Sequence, residues 1–230
     1  MREGISTRRR IRRAAQNALV AAGHESFTES PATGESFCRF RASEPYADLE
    51  IWVYPGKHFR KNGGLVCLDL YCIHHEFNRA WGVENSSWPD GDDIWKVRVF
   101  QYRLSSKADS TEFLLKASDV KPYQIWMTQF LKGHAGPWFR QFETATGVEK
   151  YLRSEGSYYD VAAWFSHQGK RTEAQKAFGE FLSALPRQID AQLDDAQSRG
   201  LITNGDKNLL KKASLQHEDE YRSRVAQWIG

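Results

Sequence analysis

Long apolar runs are missing from this chain of 230 residues. None approaches the roughly 18 residues that a membrane-spanning helix needs, so no membrane partner is expected. The start of the chain lacks a compact apolar core ahead of a cleavage site, so no secretory leader is expected. Cysteine is scarce. Cys38, Cys67 and Cys72 are an odd set that cannot pair completely, and this points to free thiols in a reducing cytoplasm. Phosphate-cradling and dinucleotide motifs are also absent. Gly56-Lys57 is followed by His58 and lacks an upstream glycine, and there is no Gly-x-Gly-x-x-Gly. No Gly-x-Ser-x-Gly elbow presents a serine nucleophile. No cofactor is therefore expected.

What is present is a globular balance of 40% apolar and 27% charged residues. Lys and Arg number 32 against 29 Asp and Glu, for a net charge of +3. That charge is unevenly placed. Residues 1–23 hold six arginines against Glu3, so the rest of the chain is slightly acidic. The 8 Trp, 9 Tyr and 13 Phe favour a well-packed interior, with some left over for an interaction surface.

The apolar periodicity predicts a helix over 5–22, with Ile11, Ala15, Ala18, Leu19 and Ala22 on one stripe and Gly23 ending it. Alternation predicts strands at 36–41, 49–54, 65–74 and 94–104. In the third of these, Val66, Leu68, Leu70 and Cys72 share one face, and Cys67, Asp69, Tyr71 and Ile73 the other. The stretch Gly56–Gly64 reads as a hairpin connection, and Asn85–Asp93 as a polar loop. Basic residues on the outer face of the strands suggest that one side of the sheet meets solvent. Helical patterns follow at 109–117, 119–132, 137–153, 157–168, 171–185, 187–199 and 205–228. In the last, Leu210, Ala213, His217, Tyr221, Val225 and Trp228 form one stripe. The expected class is α+β: an antiparallel sheet of four or five strands flanked by helices, then an all-helical C-terminal region. The domains would be 1–153 and 157–230, divided at Ser154-Glu155-Gly156-Ser157.

Tyr158, Val161, Ala162, Phe165, Ala174, Phe178 and Pro186 follow the spacing of the tetratricopeptide signature, with Gly169 at the turn. Residues 157–186 resemble one such helical hairpin, although Val161 and Ala162 stand where the pattern has Leu and Gly. The resemblance implies a peptide-binding helical surface only when about three copies stack, and one copy is found. The N-terminal layout, about residues 8–152, runs from helix to sheet to a helix bearing Trp138, Phe139 and Phe142. It is weakly similar to uncharacterised bacterial domains of unknown function, and this implies no chemistry.

Four constellations carry candidate chemistry. Cys67, Cys72, His74 and His75 have ligand side chains, but an extended backbone scatters the two thiols to opposite faces. His75-Glu76 opens a His-Glu-x-x-His motif whose last position is Arg79. Asp90, Asp92 and Asp93 break the calcium-loop pattern, and Pro89-Asp90 with Asp93-Ile94-Trp95-Lys96 misses the restriction-nuclease spacing by one residue. Asp69, Tyr71 and His75 share parity and form a candidate acid–base set. Positive charge concentrates at Arg8, Arg9, Arg10, Arg12 and Arg13, and at Lys57, His58, Arg60 and Lys61.

The leading expectation is a non-enzymatic protein-interaction module of bacterial or phage origin. It would act as an inhibitor, immunity or regulatory factor, anchored by Trp81, Trp88 and the N-terminal arginines. One alternative is nucleic-acid binding through the arginine helix and the 57–61 loop. Another is a metal-dependent hydrolase or nuclease using Asp69, His74 and His75. The sequence leaves the oligomeric state open.

Overall fold

A computed structural model describes residues 2–30, 36–55, 63–83, 98–103, 113–116, 120–216, 220 and 222–223. The chain divides into two compact units, Met1–Thr144 and Ala145–Gly230. The fold is α+β, with an antiparallel sheet in the first unit and, among the described residues, helices alone in the second.

The first unit opens with α1 (Arg2–Ala21). Ile11, Ala15, Ala18 and Leu19 of the predicted stripe are buried along one side together with Ala14, and the three small alanines let α1 lie close against α3 (Val120–Phe130). Gly23 ends α1 with φ +80°, a conformation that side chains resist. Its N–H donates to the Val20 carbonyl and that of His24 to the Leu19 carbonyl, which satisfies the last turn.

The strands are β1 (Thr28–Ser30), β2 (Cys38–Ser43), β3 (Ala47–Pro55), β4 (Gly63–His74), β5 (Phe100–Arg103) and β6 (Phe113–Lys116). All pairings are antiparallel, in the order β1-β2-β3-β4-β5, with β6 also on β4. Among the described residues the main path has five antiparallel strands, within the four or five expected, and β6 adds a sixth off that path on β4. β1 was not expected, and β6 falls where a helix over 109–117 was expected. β5 and β6 share one edge of β4. A straight continuation of the β5 register would set Ser106 opposite Val66, but Phe113 stands there. Within the expected strand 94–104, residues 94–97 lie outside the described residues, as do most of the Gly56–Gly64 connection and the Asn85–Asp93 loop.

Alternation places Cys38, Phe40, Ala42, Leu49, Ile51, Val53, Leu68, Leu70, Cys72 and Phe100 on one face, all buried. Burying each large side chain here contributes roughly 1.5–3 kcal/mol. Phe142 stacks on Phe100 at 4.8 Å and ties the helical run after β6 to the sheet. Cys67 and Cys72 project to opposite faces, as parity requires.

His74 ends β4 and α2 (His75–Ala80) follows, a short helix the periodicity did not reveal. From Val120 the backbone stays helical to Glu143 without the break expected near 133–136. It widens at Leu131–Ala135, where the Gly136 N–H donates five residues back to the Leu131 carbonyl, and then continues as α4 (Gly136–Arg140). A Cβ at Gly136 would sit 3.2 Å from Arg140 Nη1, 3.3 Å from that carbonyl and 3.4 Å from His24 Nε2, so a larger residue there would have to push its neighbours aside by a few tenths of an ångström. The expected helix 137–153 breaks at Thr144, whose backbone is extended.

The second unit holds α5 (Ala145–Ser154), α6 (Tyr158–His167), α7 (Arg171–Ser198) and α8 (Asn204–Gln216). α6 and α7 form a hairpin that turns at Gly169, φ +70°. Phe181, Leu185 and Ile189 pack with Tyr158, Tyr159 and Phe178. Arg153 bridges Glu149 and Glu180, both at 2.9 Å. The expected helices 171–185 and 187–199 are one, because α7 runs through Pro186 for three further turns. Of the stripe expected on the last helix, Leu210 and Ala213 are exposed, and His217, Tyr221, Val225 and Trp228 lie outside the described residues.

Candidate functional site

The second face of the sheet carries the densest group of polar side chains. Strand register aligns them in rows. Ser30, Arg39, Trp52, Asp69 and Arg103 are successive partners across β1 to β5. Thr28, Arg41, Glu50, Tyr71 and Gln101 form the next row, and Ser43, Asp48 and Ile73 the third. Arginines that alternate with core residues ordinarily mark a face that meets solvent. Instead Glu50 is 0% exposed, Asp69 5% and Arg39 6%, because each charge finds a neighbour in the rows.

Glu50 is the centre. Its Oε2 accepts from Arg39 Nη2 at 2.9 Å and from Trp52 Nε1, and its Oε1 accepts from Arg41 Nε at 2.7 Å. The Arg39 guanidinium lies 4.0 Å from the Trp52 ring centroid, a cation–π contact, and Trp52 lies 4.7 Å from Tyr71. Tyr71 Oη donates to Asp69 Oδ2 at 3.2 Å and accepts from Gln101 Nε2 at 3.0 Å. Hydrogen bonds and one ring contact thus link side chains from β2 to β5. A carboxylate clamped by two guanidiniums and an indole orients those donors and is poorly placed to take a proton from a substrate.

The structure brings only part of the acid–base set together. Asp69 and Tyr71 meet, but His75 stands on α2, about 13 Å of strand beyond Tyr71 at ~3.3 Å per residue. There it faces Asp48 Oδ1 at 4.0 Å, an oxygen that also accepts from Ser43 Oγ at 2.7 Å.

His74 does not turn toward a ligand site with His75. Its Nδ1 accepts from the Phe77 N–H at 3.2 Å and caps α2, so its Nε2–H donates to the Phe142 carbonyl at 3.1 Å. Both ring nitrogens are engaged, and burial holds the imidazole neutral with a pKa of about 4. The metal alternative loses its first ligand this way. Among the described residues no three His, Cys, Asp or Glu side chains gather as a metal site. The three cysteines are buried, and burial pushes the Cys38 and Cys72 thiols well up, away from the reactive thiolate.

The N-terminal arginines form a surface of a different kind. At 100° per residue, Arg9, Arg10, Arg12 and Arg13 sweep the arc of α1 opposite Ile11, Ala14 and Ala18. All four are exposed. Arg12 is tied to Glu29 of β1 at 2.6 Å. Arg8 is on the same helix, its side chain outside the described residues, as are Lys57, His58, Arg60, Lys61 and Trp88. Trp81, half-buried at the end of α2, stacks under exposed Arg98 at 4.0 Å. Asn78 fixes that pair, since its side chain exchanges two hydrogen bonds with the Arg98 backbone.

Sequence reasoning missed Arg39, Arg41, Glu50, Trp52, Asn78 and Gln101. A signal existed for the first four. Opposite charges and an indole alternate with core residues on β2 and β3, but only the register shows that Arg41 meets Glu50 and Arg39 meets Trp52. No family model matches this chain, and no curated protein or solved structure is significantly similar to it. No described helix is long and apolar enough to cross a membrane.

Proposed function

We propose that the protein is a non-enzymatic interaction module of bacterial or phage origin, acting in the cytoplasm by docking α1 on an acidic surface of another protein. An inhibitor, immunity or regulatory role fits such docking. The observation that carries the reading is the arginine arc, with Arg9, Arg10 and Arg13 exposed opposite a fully buried stripe. Guanidiniums so displayed recognise carboxylates with two parallel hydrogen bonds and serve as interface anchors. The Trp81–Arg98 pair supplies a second anchor of the kind that interfaces favour. The α6–α7 hairpin, which we read as tetratricopeptide-like, adds a helical surface in the second unit.

The polar sheet face supports this reading by its self-engagement, since its donors and acceptors address one another. A nucleic acid would use the same arginines through its phosphates. The test is affinity capture with the wild type and with Arg9→Glu/Arg10→Glu/Arg13→Glu, before and after nuclease treatment. The reading expects a protein captured by the wild type, lost with the variant, and unaffected by nuclease. Capture that nuclease abolishes would replace it with the nucleic-acid reading, and equal capture by the variant would remove α1 from the interface.

A further inference from the structure

β1 is an outer strand of the sheet, and among the described residues only β2 pairs with it. The main-chain groups of its middle residue face away from β2. The Val53 carbonyl on β3 accepts from the Phe37 N–H at 2.7 Å, so its register partner Cys38 bonds toward β3, and by alternation so does Phe40. Arg39 and Arg41 then bond toward β1, and the Arg41 carbonyl accepts from Thr28 Oγ1 at 3.4 Å. Their partners are Ser30 and Thr28, which leaves Glu29 with its N–H and C=O directed outward. Exposure agrees. Glu29 is an exposed residue although its side chain is only 25% exposed, so the open part is main chain. The open edge is short. Phe27 spends its N–H on the His24 carbonyl at 3.3 Å, and Pro31 has none, which keeps whole sheets from pairing there.

α1 overlooks this edge. Glu29 shares the core face with its partner Phe40, and Arg12 reaches it there with Nε and Nη2 both 2.6 Å from Oε2. Arg9 stands three residues before Arg12 and Gln16 four after, so the three form one strip along the helix. Arg9 and Gln16 are exposed, and they turn about 40–60° further from the buried stripe than Arg12 does. We propose that an extended acidic segment of another protein pairs with β1 at Glu29, beside this strip; this rests on the reading of α1 as the docking surface. An added strand lies about 4.8 Å beyond β1 and exchanges two main-chain hydrogen bonds with Glu29. Glu29 itself shows what this flank of α1 holds, a carboxylate carried on a strand. The residue directly opposite Glu29 is uncharged, because a second carboxylate there would be repelled, and acids two residues to either side come toward Arg9.

The probe is the peptide acetyl-Thr-Glu-Thr-Thr-Thr-Glu-Thr-amide, titrated into the full chain to about 2 mM with NMR detection, a range suited to weak binding. Binding should saturate, and the Glu29 amide should exchange with solvent at least tenfold more slowly in the complex. The same peptide N-methylated at its central Thr keeps both charges and loses the N–H that meets the Glu29 carbonyl. It should bind at least tenfold more weakly, and Arg9→Glu should weaken the unmodified peptide by as much. Equal binding of the N-methylated peptide, an unprotected Glu29 amide, or no saturation by either peptide would overturn the pairing. Capture of a protein partner that Arg9→Glu/Arg10→Glu/Arg13→Glu abolishes would in those cases leave α1 as the docking surface. Peptide binding untouched by Arg9→Glu would overturn the place of α1 beside the strand.

Discussion

Glu50→Ala removes the acceptor that three donors share. Arg39, whose side chain is 7% exposed, loses a carboxylate that water cannot replace, and half-buried Trp52 loses an acceptor for its indole. Arg41, at 33%, can rehydrate and contributes little. Breaking a buried ion pair from one side costs about 3–5 kcal/mol, because the remaining charge stays in a dry site. For a unit of this size that is a fall of roughly 10–20 °C in the unfolding midpoint. Two compact units should give two transitions in scanning calorimetry, and Glu50→Ala should move the one that belongs to the first. The companion variant Arg39→Met/Glu50→Leu removes both buried charges and fills their volume. It should recover most of the loss, to within about 2 kcal/mol of the wild type. A Glu50→Ala midpoint within about 4 °C of the wild type, or a double variant worse than the single, would refute the picture of a dry, mutually dependent network.

His74 makes stability depend on acid. Its folded pKa of about 4 lies below the ordinary value of 6.5, so the unfolded chain takes up the proton first as pH falls. Stability is therefore whole above about pH 6.5, declines through the window down to pH 4, and levels off below, a loss of about 3 kcal/mol. Half-buried His24 is shifted the same way by burial and adds to the slope. Subtracting the pH profile of His74→Asn, which keeps a capping oxygen but no titration, should isolate this step; parallel profiles would contradict it. Gly169→Ala meets no atom within 4 Å, yet it should cost about 1 kcal/mol in the second transition, since φ +70° is the obstacle. An unchanged second midpoint would show that the hairpin turn is not held there.

The parts of the fold that were legible had a single consistent period. β4 alternates cleanly over Val66–Ile73, and the α1 stripe and its Gly23 stop obey helix rules with nothing competing. β6 was not legible because Phe113-Leu114-Leu115 is a short apolar run that fits a helix or a strand, and pairing with Gly63–Val66 decides it. Pro186 suggested a helix end, yet Leu185 and Ile189 bury on the same side and carry the helix past it. The sheet network was hidden for a different reason. Arg39 and Arg41 alternate with core residues, the usual mark of a wet face, and only register reveals Glu50 opposite. His74 shares parity with the core face, but its role as a cap exists only because β4 runs directly into α2.

In the first unit the sheet face holds itself together, and the exposed face of α1 is the proposed binding surface. Binding of one captured partner by two variants, measured by calorimetry at equal salt, tests that division directly. Arg9→Glu/Arg10→Glu/Arg13→Glu should lose at least a hundredfold in affinity, while Gln101→Ala, on the sheet network, should bind as the wild type does. Intact binding by the arginine variant together with loss by Gln101→Ala would place function on the sheet face and contradict the account.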